Sequence, residues 1–146
     1  MMEYNIWFLV VFHVVCYDVW FYAIHVVLHS KHFYVIHKLH HEKTYNELTY
    51  SDTNVGHYVE NLVEPLGIVI PFFVIQCSPV AFACALIFTH IRGHMRHDNR
   101  CSWLVGNHHI LHHKHRRYNY GEYWLDTLCG TRYPVEDEYI YGWIYR

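Results

Sequence analysis

The chain has 146 residues, the length of one domain and too short for several. Its 11 Lys+Arg and 13 Asp+Glu leave a formal net charge of -2, which gives no general pull toward nucleic acid. A composition 53% hydrophobic and only 16% charged excludes disorder and demands extensive burial, in a core or in lipid.

Residues 4–28 are almost wholly apolar and aromatic, interrupted by Asn5, His13, Cys16, Asp18 and His25. Such a stretch is long enough to cross a hydrocarbon core of ~30 Å. Asp18 is then expected to face protein or lie near the interface, and His13 to be a packed, hydrogen-bonded histidine. The start, Met1-Met2-Glu3, carries no basic residue, so a retained segment is expected rather than a cleaved signal. Further on, 65–89 contains no Lys, Arg, Asp, Glu or His. Pro65, Pro71 and Pro79 interrupt it, and Gln76-Cys77-Ser78-Pro79 divides it into two legs, each ~18–27 Å if helical. That length suits a hairpin entering a membrane and returning better than one straight span. The five cysteines form no CxxC pair and read as free thiols. Beyond Arg117 the tail is Tyr-rich, with Gly121, Gly130, Pro134 and Gly142 as breakers.

Every Lys and Arg falls in 31–43 or from Arg92 onward. By the positive-inside rule both basic segments are cytoplasmic, and the hairpin returns the chain to the face it left. The 16 histidines follow this division. His25-x3-His29 precedes His37-x2-His40-His41, and His90-x3-His94 precedes His109-x2-His112-His113. On a helix, positions i, i+3 and i+4 share a face, so each cluster can aim its rings at one point. Composition alone yields about 0.2 such triplets by chance. Two, each after a pair at the end of an apolar segment, point to metal binding. Ten imidazoles exceed what one ion takes, so two nearby ions are expected. The HExxH motif of zinc proteases and the Glu-x-x-His of soluble di-iron bundles are both absent.

The stretch Ile24-His25-Val26-Val27-Leu28-His29-Ser30, then Tyr34 and His37-Lys38-Leu39-His40-His41-Glu42, resembles the fatty acid hydroxylase/sterol desaturase superfamily. So does 108–131, with its Asn119-Tyr120-Gly121 and its Asp126-x3-Gly130-Thr131 ending. The resemblance implies an integral membrane oxygenase with two iron ions at a cytoplasm-facing site (zinc being an alternative occupant after purification). It implies hydroxylation or desaturation of a sterol or fatty acyl C–H position with O2 and two electrons. These electrons would come from NAD(P)H through a reductase and a b-type cytochrome, at the endoplasmic reticulum or its equivalent. The ligand role carries to His25, His29, His37, His40, His41, His90, His94, His109, His112 and His113. His57 and Glu60 resemble a supporting His-x-x-Glu element.

The expected architecture is an all-α integral membrane protein with a cytoplasmic histidine-rich helical cap. It forms one domain over 1–146, with membrane segments at about 4–28 and 62–91 and metal-site segments at about 25–41 and 90–131. His32 and His97 compete with the pairs at i+3, and His108 competes with His109 in a slipped register. Asp126 is a candidate to orient a ligand ring. Two rival functions stand beside the oxygenase: a non-catalytic membrane metal store, and a minimal core that needs a larger partner.

Overall fold

The computed structural model describes residues 4–144, and all regular structure among them is helical. Helix α1 spans Ile6–Leu28 and is long and apolar enough to cross a membrane. Its start is fixed by Asn5, whose side-chain oxygen accepts the Trp7 N–H at 2.8 Å. A short helix α2, Tyr34–His37, follows, and the chain continues through turns to a 3-10 segment at Tyr50–Asn54.

The second apolar region is a hairpin with unequal legs. Helix α3, Tyr58–Val63, runs directly into a 3-10 segment, Glu64–Phe73. Pro65 and Pro71 have no N–H to donate, which works against regular α bonding along this leg. Ten residues at the 3-10 rise of ~2.0 Å give a leg ~20 Å long. After the break at 74–78, Pro79 opens helix α4, Pro79–Arg96, at a position where its missing N–H costs nothing. At Gly67 the first leg lies against α1. A Cβ there would fall 2.4 Å from the Trp20 Cβ, so only glycine permits the approach. Trp20 Nε1–H donates to the Val63 carbonyl at 2.9 Å, and the His13 ring, fully buried, places Nδ1 2.6 Å from the Ile68 carbonyl.

Leu9, Ile68, Ala81 and Ala85 form the packed seam between α1 and the hairpin. At its far end Asp18 faces Arg92 of α4, as its cost in lipid requires. Arg92 and Arg96 both also engage Glu122, at the start of the last helix, and Asp18, Arg92 and Glu122 are all buried. Outward, the same helices expose Trp7, Phe8, Val11, Val19, Phe73, Val74, Val80 and Ile87, a broad apolar surface. Short helices α5 (Ser102–Val105), α6 (His108–His115) and α7 (Tyr123–Cys129) follow, and the Tyr120 carbonyl between α6 and α7 reaches the His25 ring near the end of α1.

Candidate metal centre

Nine imidazoles meet in two adjacent groups. The first joins His25 and His29 from α1, His37 and His41, and His112 from α6. Their Nε2 atoms form a tight set: His25–His37 2.9 Å, His37–His41 3.0 Å, His41–His29 3.2 Å, His29–His112 3.0 Å and His112–His41 3.1 Å. The second group joins His40, His97, His109 and His113. Its Nε2 separations are 3.1 Å for His97–His40, 3.0 Å for His109–His97 and 3.2 Å for His113–His109. The rings of His41 and His113, one from each group, have centroids 4.6 Å apart.

The far side of the rings shows why these nitrogens face one another. His25 Nδ1 lies 2.5 Å from the Tyr120 carbonyl and His112 Nδ1 2.7 Å from the Tyr118 carbonyl. His40 Nδ1 lies 3.0 Å from the Val55 carbonyl and His97 Nδ1 2.9 Å from the Gly93 carbonyl. A carbonyl only accepts, so each of these Nδ1 atoms carries the proton and each Nε2 presents a lone pair. His37 follows the same rule, with Nδ1 donating to Glu60 Oε1 at 2.6 Å. Lone pairs packed ~3 Å apart repel unless a cation lies between them. Nitrogens ~2.0–2.1 Å from a shared ion stand ~2.9 Å apart at right angles and ~3.4 Å apart at the tetrahedral angle. The observed 2.9–3.2 Å falls in that window, so the donor set fits a metal ion in each group.

Burial keeps the rings neutral. It pushes His37 and His40 down to about 4 and His29 and His97 down to about 3, helped at His29, His40 and His97 by neighbouring imidazoles. His41, His109, His112 and His113 are lowered for the same two reasons. Burial pushes Glu60, beside His37, up to about 7, and its Oε2 has no hydrogen-bond partner.

The Tyr118–Gly121 turn is the clamp on two rings. Asp126, fully buried, accepts the N–H groups of Tyr120 at 2.9 Å and Gly121 at 2.8 Å and the Thr131 hydroxyl at 2.6 Å. Asn119 takes a left-handed conformation, φ 59°, which asparagine tolerates better than most residues. Its side chain donates to the His108 carbonyl and accepts the Tyr133 N–H, tying the turn to α6. The carbonyls of Tyr118 and Tyr120 thereby point at His112 and His25.

Of the ten histidines expected to be ligands, the structure brings together His25, His29, His37, His40, His41, His109, His112 and His113. His90 and His94 stand outside both groups, paired with each other at 3.1 Å between their Nε2 atoms. His97, the competing i+3 position, occupies the second group instead. His108 does not displace His109; its Nε2 lies 3.0 Å from Asp126 Oδ2. His57 caps α3, its Nδ1 accepting the Val59 N–H at 3.2 Å, and Glu60 is the member of that element that reaches a ligand ring. Beside the site runs a partly open cavity lined by His25, His40, His97 and His109 together with Phe21, Ile68 and Leu86.

Among the described residues the regular structure is all helical, and two grouped sets of buried imidazoles give the chain a donor set compatible with metal binding. A family model described as Fatty acid hydroxylase matches residues 10–131, and the chain belongs to that family. No curated protein and no solved structure matches it.

Proposed function

We propose that the protein is an integral membrane oxygenase that hydroxylates or desaturates a lipid C–H position, with one iron ion in each histidine group. The observation that carries this reading is the convergence of nine Nε2 atoms into two adjacent sets beside a partly apolar cavity. Bound there, a pair of redox-active ions supplies with O2 and two electrons the oxidising power that no side chain has. Everything else falls to the chain itself. The Tyr118, Tyr120, Val55 and Gly93 carbonyls and the Glu60 carboxylate hold the Nδ1 protons of His112, His25, His40, His97 and His37, and so fix those five rings and their tautomers. The cavity would lay an apolar chain or ring along Phe21, Ile68 and Leu86 toward His25, His40, His97 and His109. The apolar surface of α1 and the hairpin supports a bilayer setting, with the basic segments and the metal groups on the cytoplasmic side.

The test is expression and purification in nanodiscs, iron analysis, and incubation with 18O2, NADPH, a reductase and a b-type cytochrome over a lipid extract. About two irons per chain and an 18O-labelled lipid are expected for hydroxylation, or a lipid two hydrogens lighter for desaturation. Iron held without O2 uptake or lipid product, with electrons delivered, would overturn the oxygenase reading in favour of a metal store.

A further inference from the structure

His90 and His94 are left over from the metal centre, and their arrangement is not that of idle surface residues. They lie one turn apart on α4, with Nε2 atoms 3.1 Å from each other. His94 is oriented as the core ligands are: Nδ1 sits 2.6 Å from the Tyr50 carbonyl, so it carries the proton and Nε2 offers its lone pair toward His90. The Nε2 separation falls in the same ~2.9–3.4 Å window expected of two nitrogens sharing one ion. A surface hollow lined by Tyr50, Ser51, His90, Ile91, His94 and Met95 opens onto the pair. His90 also lines the cavity beside the metal centre, whose lining includes His25, His40, His97 and His109.

We propose that His90 and His94 form a third metal site, a solvent-accessible two-histidine site for a divalent transition metal at the mouth of the cavity, separate from the two buried groups. The protein supplies two imidazole nitrogens, and water completes the coordination. A two-ligand open site holds its ion far more weakly than the four- and five-histidine groups, so it fills last and exchanges freely. Imidazole selects for ions such as Co2+, Ni2+, Cu2+ or Zn2+ over Mg2+ or Ca2+.

The test uses detergent-solubilised protein whose buried groups are first filled with Zn2+ and then freed of excess metal. Co2+, which binds such sites more weakly than Zn2+ and so leaves the buried ions in place, is then titrated in and followed by its visible absorption. One further equivalent of Co2+ per chain is expected, with Mg2+ failing to compete. His90→Ala, at an exposed position where folding is not at stake, and His94→Ala should each weaken that uptake at least tenfold, with the Zn2+ content unchanged. Absence of saturable Co2+ uptake overturns the proposal, as does uptake that both variants leave unaltered. Loss of a tightly held zinc in either variant overturns it as well, by placing the pair in the main centre. None of these outcomes depends on turnover, so failure here is distinct from failure of the oxygenase reading.

Discussion

Glu60 offers the sharpest probe of how the five-histidine group is held. Its carboxylate is 2% exposed and accepts the His37 Nδ1 proton at 2.6 Å, while Oε2 has no partner. His37 Nε2 in turn faces His25 at 2.9 Å and His41 at 3.0 Å. Replacing Glu60 with Ala leaves a buried N–H unsatisfied, which costs about 1–3 kcal/mol of folding stability in the metal-free protein. It also frees the His37 ring to turn and change tautomer. Losing the carboxylate partner of a ligating imidazole typically weakens metal affinity about 10–100-fold, or ~1.4–2.7 kcal/mol. Glu60→Gln, whose amide oxygen can still accept, should fall between wild type and Ala. The assay is competition with a chromophoric chelator of known affinity, resolving the two buried ions, alongside thermal unfolding of the metal-free forms. The first group's ion should weaken much more than the second's, because Glu60 hydrogen-bonds to His37 of the first group and acts on His40 of the second only through its charge. A Glu60→Ala protein that keeps both ions at wild-type affinity would refute the reasoning.

His97→Ala should cost the second group one of its four donors and lower metal content from about two to about one per chain by elemental analysis. Arg92→Ala strands the buried Asp18 carboxylate and should destabilise the fold by ~3–5 kcal/mol, read as a lowered thermal midpoint; replacing both with apolar residues of similar size should restore much of the loss. Asp126→Ala removes the acceptor for two backbone N–H groups and a hydroxyl, and should both lower the midpoint and loosen the first ion, since the Tyr120 carbonyl that orients His25 rides on that turn. The metal-free protein should lose stability as pH falls from about 6.5 toward 4. His29, His37, His40 and His97 bind protons in the unfolded chain at about 6.5 but in the folded chain only at about 3–4, so acid favours the unfolded state. A flat stability profile over that interval, measured by denaturant midpoints, would contradict the buried, neutral state of these rings.

The helical class, the break between the hairpin legs and the bulk of the grouped histidines were legible in the pattern of apolar runs and His spacings. Three features were not. The first hairpin leg is a 3-10 segment because of Pro65 and Pro71, and hydropathy does not distinguish that helix from an α-helix. Resemblance gives Glu60 a supporting role but not its partner: the carboxylate meets His37 across 23 positions of chain, a tertiary contact that no local spacing encodes. The mixing of the two triplets was also hidden. His37 and His41 serve the first group while His40 crosses to the second, and His109 and His113 serve the second while His112 crosses to the first. Reading each triplet as aimed at one point misses this division. At ~100° per residue, i and i+4 lie ~40° apart, whereas i+3 stands ~60° to the other side of i. The α6 triplet therefore straddles two sites, and His37, at the end of α2, with His40 and His41, in the turns beyond it, divides between the same two sites.

The same arithmetic explains why α4 contributes His97 rather than His90 and His94. Relative to His90, His94 is rotated by ~40° and His97 by about -20°, so all three share one face and no periodicity argument separates them. What separates them is height. At ~1.5 Å per residue His97 lies ~10.5 Å along the axis from His90 and ~4.5 Å beyond His94. That level meets His109 near the start of α6, and the ring of His97 meets it edge-on with centroids 4.4 Å apart. His97 also ends the helix as its C-cap, and its Nδ1 finds the Gly93 carbonyl one turn back, so the position that closes α4 presents its Nε2 to the site. Rotation about the helix was written in the spacing of the histidines. Depth along it was set by the lengths of the hairpin legs and by the return of α5 and α6, and those are properties of the packed chain.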